Sequence, residues 1–259
     1  MRRRIVVKVG SNVLTRSDGK LDVTRMSALV DQIAWLRSQD YDVILVSSGA
    51  VSAGRDELRT GRDLDSVEQR QLFSSLGQVK LMGLYYDLFR EYDIHIGQVL
   101  TMKKNFEPGD EYANQRQCMN VMLDNGVLPI VNENDTVSIT GLMFTDNDEL
   151  SGLIAQMMQA ETLVLLSNID GVFTKNPNDP TAELIPDVQP GRDLSEYIQP
   201  EKSAFGRGGM HSKYTTASKV QKSGIRVIIA NGERDNILVS LIENKETVPH
   251  TEFIPYGID

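Results

Sequence analysis

The sequence predicts an α/β fold: a three-layer αβα sandwich around a mainly parallel central sheet. Short unbroken apolar runs rich in Val and Ile recur along the chain, as strands buried on both faces do. Between them lie stretches whose apolar residues fall at helical spacing. Small and polar residues follow several of the apolar runs directly, at the strand ends where parallel sheets bind ligands.

Residues 5–9 form a β-branched run interrupted by Lys8 and ending in Gly10-Ser11-Asn12. Residues 24–37 are helical, with Met26, Leu29, Val30, Ile33 and Leu36 on one side. Residues 43–46 are a continuous apolar strand ending in Ser47-Ser48-Gly49-Ala50. A long helix is expected over 67–92, with a break near Gly77 or Gly83. A strand over 94–100, a helix over 112–124 and a strand over 127–131 follow, the last running into Asn132-Glu133-Asn134-Asp135. Then come a helix over 146–160, a strand over 163–166, a helix from Met210 to about residue 222, a strand over 226–230 and a helix over 236–244. The Pro-rich stretch 176–190 reads as an irregular excursion.

A length of 259 residues suits one α/β domain, expected to span 1–259. The net charge of −9 argues against a nucleic-acid-binding surface, so an anionic substrate must be drawn by local positive groups or a metal ion. No apolar run is long enough to span a membrane, and the segment after Arg2-Arg3-Arg4 is too short and polar for a signal sequence, so the expected location is the cytoplasm. Cys118 is the single cysteine, which excludes an internal disulfide and a cysteine-rich zinc site. Its neighbours Met119, Val121 and Met122 suggest a buried helix position. His95 falls inside a predicted strand and reads as structural. With His211 and His250 it makes no Ser-His-Asp arrangement.

The strongest chemical signal is Gly206-Arg207-Gly208-Gly209-Met210-His211-Ser212-Lys213. Glycines allow backbone N–H groups to approach an anion, and the helix that follows adds the positive end of its dipole. Lys213 in the first helical turn opposes that dipole unless an anion is near. The alternative is a flexible loop with an incidental lysine. Lys8 is an odd residue in an apolar strand; it faces either solvent from an edge strand or a phosphate beside Gly10. Ser48 and Gly49 lie in a turn that either admits a ligand closely or merely links strand to helix. The Asn132–Asp135 cluster offers amides for a carboxylate and an aspartate for an ammonium group, or else a polar loop with Asx turns. Asp146 with Glu149 fits a helix capping box, while Asp146, Asn147 and Asp148 also fit a metal- or lysine-orienting role.

Taken together, these motifs resemble the amino-acid kinase superfamily, and within it the glutamate 5-kinase family, over essentially the whole chain. The Asn-Glu-Asn-Asp cluster and the following Asp-Asn-Asp look specific to that branch. The resemblance implies the amino-acid kinase fold and ATP-dependent phosphorylation of the side-chain carboxylate of L-glutamate, with Mg²⁺, as the first step of proline biosynthesis. It implies that Lys8 and Lys213 meet the transferring phosphoryl group and that Asp146 and Asp148 organise the centre. It implies that Ser48, Gly49, Asn132, Asn134, Asp135 and Asn147 hold glutamate. Lys8, Gly10, Ser167, Asn168, Arg207, Gly208, Gly209, Met210, His211, Ser212 and Lys213 are implied to face the nucleotide. A homo-oligomer, functional coupling to glutamyl-phosphate reductase, and no nucleic-acid or membrane partner are implied too.

Two residues depart from the family pattern: Asn168 stands where an aspartate is common and Arg207 where a small residue is common. The expectation is a form without the C-terminal PUA domain that many bacterial members carry. The competing expectations are a superfamily kinase acting on N-acetylglutamate, aspartate, carbamate or UMP, or a non-catalytic amino-acid sensor on the same fold.

Overall fold

The computed structural model describes residues 3–58, 60–61, 63–138, 143–198, 209–243 and 247–257. In chain order the elements are β1 (Arg3–Val9), α1 (Ser11–Leu14), α2 (Val23–Ser38), β2 (Tyr41–Ser47), α3 (Ala50–Glu57), α4 (Ser66–Arg90), β3 (Ile96–Thr101), α5 (Asp110–Asp124) and β4 (Leu128–Glu133). They continue with α6 (Asn147–Met157), β5 (Thr162–Ser167), β6 (Asp187–Val188), α7 (Met210–Lys222), β7 (Arg226–Asn231), α8 (Ile237–Glu243) and β8 (His250–Phe253).

The strands form one sheet in the order β3-β4-β2-β1-β5-β7-β8-β6. All pairings are parallel except β7 with β8. β1 lies inside the sheet between β2 and β5, so Lys8 is on a central strand and not an edge.

Strand periodicity divides the core in two. Ile5, Val7 and Val9 of β1 pack with Met26, Leu29 and Ile33 of α2, Leu81, Tyr85 and Phe89 of α4, and Leu238 of α8. Val6 points the other way, into a cluster with Met119 of α5, Ile154 of α6 and Ala217 and Val220 of α7. These are the two helical layers of the predicted sandwich. Lys8 shares the face of Val6 by the same alternation, which aims it at α6 and α7.

Capping aspartates open three of the helices, α2, α4 and α6. Asp22 caps α2 by accepting from Arg25 N, and Asp65 caps α4 with Glu68 completing a capping box. α4 runs unbroken through Gly77 and Gly83. Gly77 is there for contact: a Cβ would lie 1.7 Å from Ala50 O of α3, so the glycine lets the two helices touch along their backbones. Nothing crowds Gly83, and packing gives no account of it.

Four elements were not visible in the sequence: α1, α3, β6 and β8. α1 and α3 are short and rich in small or polar residues, and β6 is two residues inside the Pro-rich stretch. The Pro-rich stretch is held to the body by that strand and by a bridge between Phe173 and Leu184. Two side chains lie elsewhere than expected. Cys118 is exposed, because the buried face of α5 is carried by Met119 and Leu123. His95 is exposed and precedes β3, which starts one residue later at Ile96.

Candidate active site

The carboxyl ends of β1, β2, β4 and β5 open onto a cleft of about 1370 Å³. Lys8, Gly10, Ser48, Gly49, Asn132, Asp135, Asp146, Asn147, Ser167, Asn168, Gly209, Met210 and Lys213 all line it. Residues from six separate stretches of sequence therefore converge on one space.

At its head two lysines share one carboxylate. Lys8 Nζ lies 2.6 Å from Asp148 Oδ1, and Lys213 Nζ lies 3.0 Å from Asp148 Oδ2. Asp148 is fully buried, and both lysines are nearly so. An unpaired ammonium at such depth costs several kcal/mol, so the carboxylate is what permits two of them. Burial pushes the Lys8 ammonium below the ordinary lysine value; Asp148 opposes that shift and the charge on Lys213 adds to it. Burial alone would raise the Asp148 carboxyl, but the two ammonium groups outweigh it and hold the carboxyl below its usual range. Lys213 sits in the first turn of α7, where the helix dipole disfavours it, and Asp148 is the anion that offsets the conflict.

Packing of α6 on α7 sets this geometry. Gly152 lies one turn after Asp148, and Thr216 nearly one turn after Lys213. A Cβ on Gly152 would come 2.7 Å from Thr216 Cγ2 and 3.1 Å from Val220 Cγ2. The missing side chain lets the helices approach, and Asp148 reaches Lys213.

Asp146 caps α6: its Oδ1 accepts from Asp148 N and Glu149 N. Glu149 turns to Thr145 N and Lys103 rather than back to Asp146 N, so the expected capping box is half made. Asp146 Oδ2 is buried and accepts no hydrogen bond from the described residues.

The next residue ties the ends of β2 and β4 together. Asn147 Nδ2 donates to Ser48 Oγ at 3.0 Å, to Asn132 Oδ1 at 3.0 Å and to Ser47 O at 3.3 Å. Asn132 Oδ1 also accepts from Glu133 N, and its Nδ2 donates to Gln78 Oε1. Gly49 has φ +103°, a left-handed conformation that favours glycine and turns the chain from β2 into α3. Tyr85 braces this turn from below, its hydroxyl 2.9 Å from Ser47 Oγ. Farther along, Asp135 Oδ1 lies 3.3 Å from Arg70 Nε.

Four of the proposed site residues do not line the cleft: Asp148 is fully buried behind the two lysines, and Asn134, His211 and Ser212 lie elsewhere. Asn134 faces a smaller cavity with Gln78 and Thr136, its side chain accepting from Thr136 Oγ1. His211 is exposed on α7, and Ser212 beside it does not line the cleft. In a helix that starts at Met210, only Lys213 of the next three residues returns to the buried face. Arg207 and Gly208 lie outside the described residues. Sequence reasoning overlooked Arg70, which lines the cleft from α4. Its only signal was a charge within a helical pattern, which is what a solvated helix face also shows.

Comparison with known proteins agrees with this architecture. The sequence pattern of the amino acid kinase family matches residues 3–231. A glutamate 5-kinase of Bacteroides thetaiotaomicron is 61% identical over 97% of this chain and 70% of its own length. One of Symbiobacterium thermophilum is 40% identical over 94% of both chains. Among solved structures, carbamate kinase from Giardia lamblia bound to AMP-PNP superposes with a TM-score of 0.73 at 16% identity, covering 98% of this chain and 99% of its own. UMP kinase from Ureaplasma parvum superposes at 0.65 and 16% identity, over 98% of this chain and 99% of its own. Those two likenesses establish a shared fold, whereas the first two establish kinship: the chain belongs to the amino acid kinase family and, within it, to the glutamate 5-kinases.

Proposed function

We propose that this protein transfers the γ-phosphoryl group of ATP to the side-chain carboxylate of L-glutamate, giving L-glutamyl 5-phosphate and ADP, the first step of proline biosynthesis. The observation that carries the chemistry is the Lys8–Asp148–Lys213 cluster at the head of a cleft with room for two small molecules. The identity to glutamate 5-kinases supports the choice of acceptor.

The nucleophile needs no base. A glutamate side chain has a reference pKa of about 4.3 and is ionised at neutral pH. One carboxylate oxygen bonds to the γ-phosphorus while the bond from that phosphorus to the β–γ bridging oxygen breaks, and ADP leaves with the electron pair. The obstacle is repulsion between two anions, so catalysis is positioning and charge stabilisation. Asp148 neutralises one of its two lysines and leaves one positive charge in excess for the transferring group. It also holds the two like charges together before any anion arrives.

Ser167, Asn168, Gly209 and Met210 frame the nucleotide end, where the N-terminus of α7 presents backbone N–H groups to phosphate. Ser48, Gly49, Asn132, Asn147 and Asp135 frame the amino-acid end, with Asp135 taking the ammonium group. Among the described residues no three His, Cys, Asp or Glu side chains are placed to cage a metal. Mg²⁺ carried on nucleotide phosphates and water needs no such cage, and Asp146 Oδ2, buried without a hydrogen bond from the described residues, fits its hydration shell. When bound, the ion offsets phosphate charge.

The same reading makes the protein a cytoplasmic homo-oligomer whose labile acyl phosphate passes to glutamyl-phosphate reductase. Among the described residues no helix is long and apolar enough to cross a membrane. The test is incubation with ATP, Mg²⁺ and a panel of amino acids, trapping acyl phosphate with hydroxylamine and measuring ADP. A signal with L-glutamate alone is expected. Efficient turnover of N-acetylglutamate, which lacks the ammonium charge, would overturn the role of Asp135.

A further inference from the structure

Arg70 and Asp135 form an ion pair in the wall of the cleft, their side chains 14% and 8% exposed. Arg70 reaches it from α4, and its Nη2 is anchored on Ser138 O at 2.7 Å. Its Nε faces Asp135 Oδ1 at 3.3 Å, a loose contact for a charge pair. Burying such a pair brings little net stability, because desolvation consumes most of the attraction. Its place in the cleft therefore calls for another account.

An α-amino acid carries an ammonium and a carboxylate on one carbon. It is itself an ion pair, of the same composition and opposite orientation to Arg70–Asp135. Resting on the glutamate reading above, we infer that Arg70 is a specificity-determining residue that receives the substrate α-carboxylate while Asp135 receives the ammonium group. The resident pair opens and each partner takes its counterpart from the zwitterion. The site stays charge-balanced before and after, so no unpaired charge is buried at either stage. The guanidinium offers a planar fork that matches a carboxylate, and the Ser138 anchor holds that fork in place. The two lysines of the cleft head are committed to Asp148 and the phosphoryl group, and of the cleft's arginines Arg70 is the one paired with Asp135.

The experiment compares kcat/KM for L-glutamate and L-isoglutamine, whose α-carboxylate is an uncharged amide and whose ammonium and side-chain carboxylate are intact. The wild-type enzyme is expected to prefer glutamate. Arg70→Gln is expected to lower kcat/KM for glutamate by about 30- to 100-fold and to leave isoglutamine within about threefold, since only the charged head loses its partner. Equal losses on both substrates, or an unchanged ratio, would overturn the proposal, because a structural role affects both alike. Should Arg70→Gln lose its cooperative melting transition, Arg70→Lys carries the test: it keeps the charge without the fork and is expected to cut the ratio about tenfold. An unchanged ratio there is equally fatal. Wild-type enzyme with no glutamate-dependent ADP sinks the glutamate reading itself; normal turnover with an unchanged ratio in the variants sinks only the role of Arg70.

Discussion

Gly152 of α6 lies against Thr216 of α7 so closely that a Cβ would stand 2.7 Å from the threonine methyl. The contact sits one turn from the Asp148–Lys213 bridge and sets its length. Gly152→Ala is expected to push the helices apart. Overpacking of this kind costs about 1–3 kcal/mol. Misplacing a catalytic group by about 1 Å costs on the order of a hundredfold in rate. A hundredfold in rate is about 2.7 kcal/mol, so kcat and stability should fall by comparable free energies, read as kcat against the urea midpoint. The double variant Gly152→Ala, Thr216→Ser removes the clashing methyl and should restore part of kcat.

Asp148→Asn leaves two buried ammonium groups facing each other. Removing one partner from a buried pair costs about 3–5 kcal/mol, and here two pairs lose the same partner. The pH dependence has a definite sign. Burial already holds Lys8 below the ordinary lysine value of 10.5, and loss of the carboxylate lowers it further. The unfolded chain then binds more protons than the folded one across the window between the two values. Stability of the variant should rise with pH through that window and fall as pH drops through the folded value. Urea titrations of both proteins from pH 7 to 10 check this; a gap between them that stays constant would remove the buried-charge account.

The order of strands and helices was legible in the sequence because both periodicities are strong here. Even the direction of Lys8 followed from alternation with Val6 once β1 proved central. The converging residues were legible because each follows an apolar strand or opens a helix. Arg70 was not, since nothing local separates a cleft-facing arginine in a long helix from a solvated one. Cys118 misled for a related reason: apolar neighbours at i+1, i+3 and i+4 do not fix which side of α5 faces the sheet. Gly77 carried a signal that was assigned to the wrong cause, a helix break in place of a helix contact.

That contact yields its own prediction. α4 meets α3 backbone to backbone at Gly77 and Ala50, with no room for a methyl group. A Cβ at 1.7 Å from a carbonyl oxygen cannot be absorbed by side-chain rotation, so the helices must separate. The helix-propensity gain of alanine over glycine, about 1 kcal/mol, works in the opposite direction. Gly77→Ala should still be destabilised, while Gly83→Ala in the same helix, with open space around it, should be neutral or stabilised by about 0.5–1 kcal/mol. Thermal melts of the two variants side by side separate packing from propensity.

Lys213→Ala tests the cleft head directly. The substitution removes one of two positive groups and leaves Lys8 paired with Asp148 at neutral net charge. No excess positive charge then remains for the transferring phosphoryl group. Losing one such stabilising group costs about 10²–10³ in kcat when its contact is made chiefly in the transition state. The KM for glutamate should change little, because its ammonium and carboxylate are held elsewhere in the cleft. The fold should survive, since Asp148 keeps Lys8 as a partner and loses only one of two cations. Steady-state kinetics with ATP and glutamate measure the split between kcat and KM. Near-normal kcat in this variant would place the transferring group away from Lys213 and leave the lysine as a brace for α7 alone.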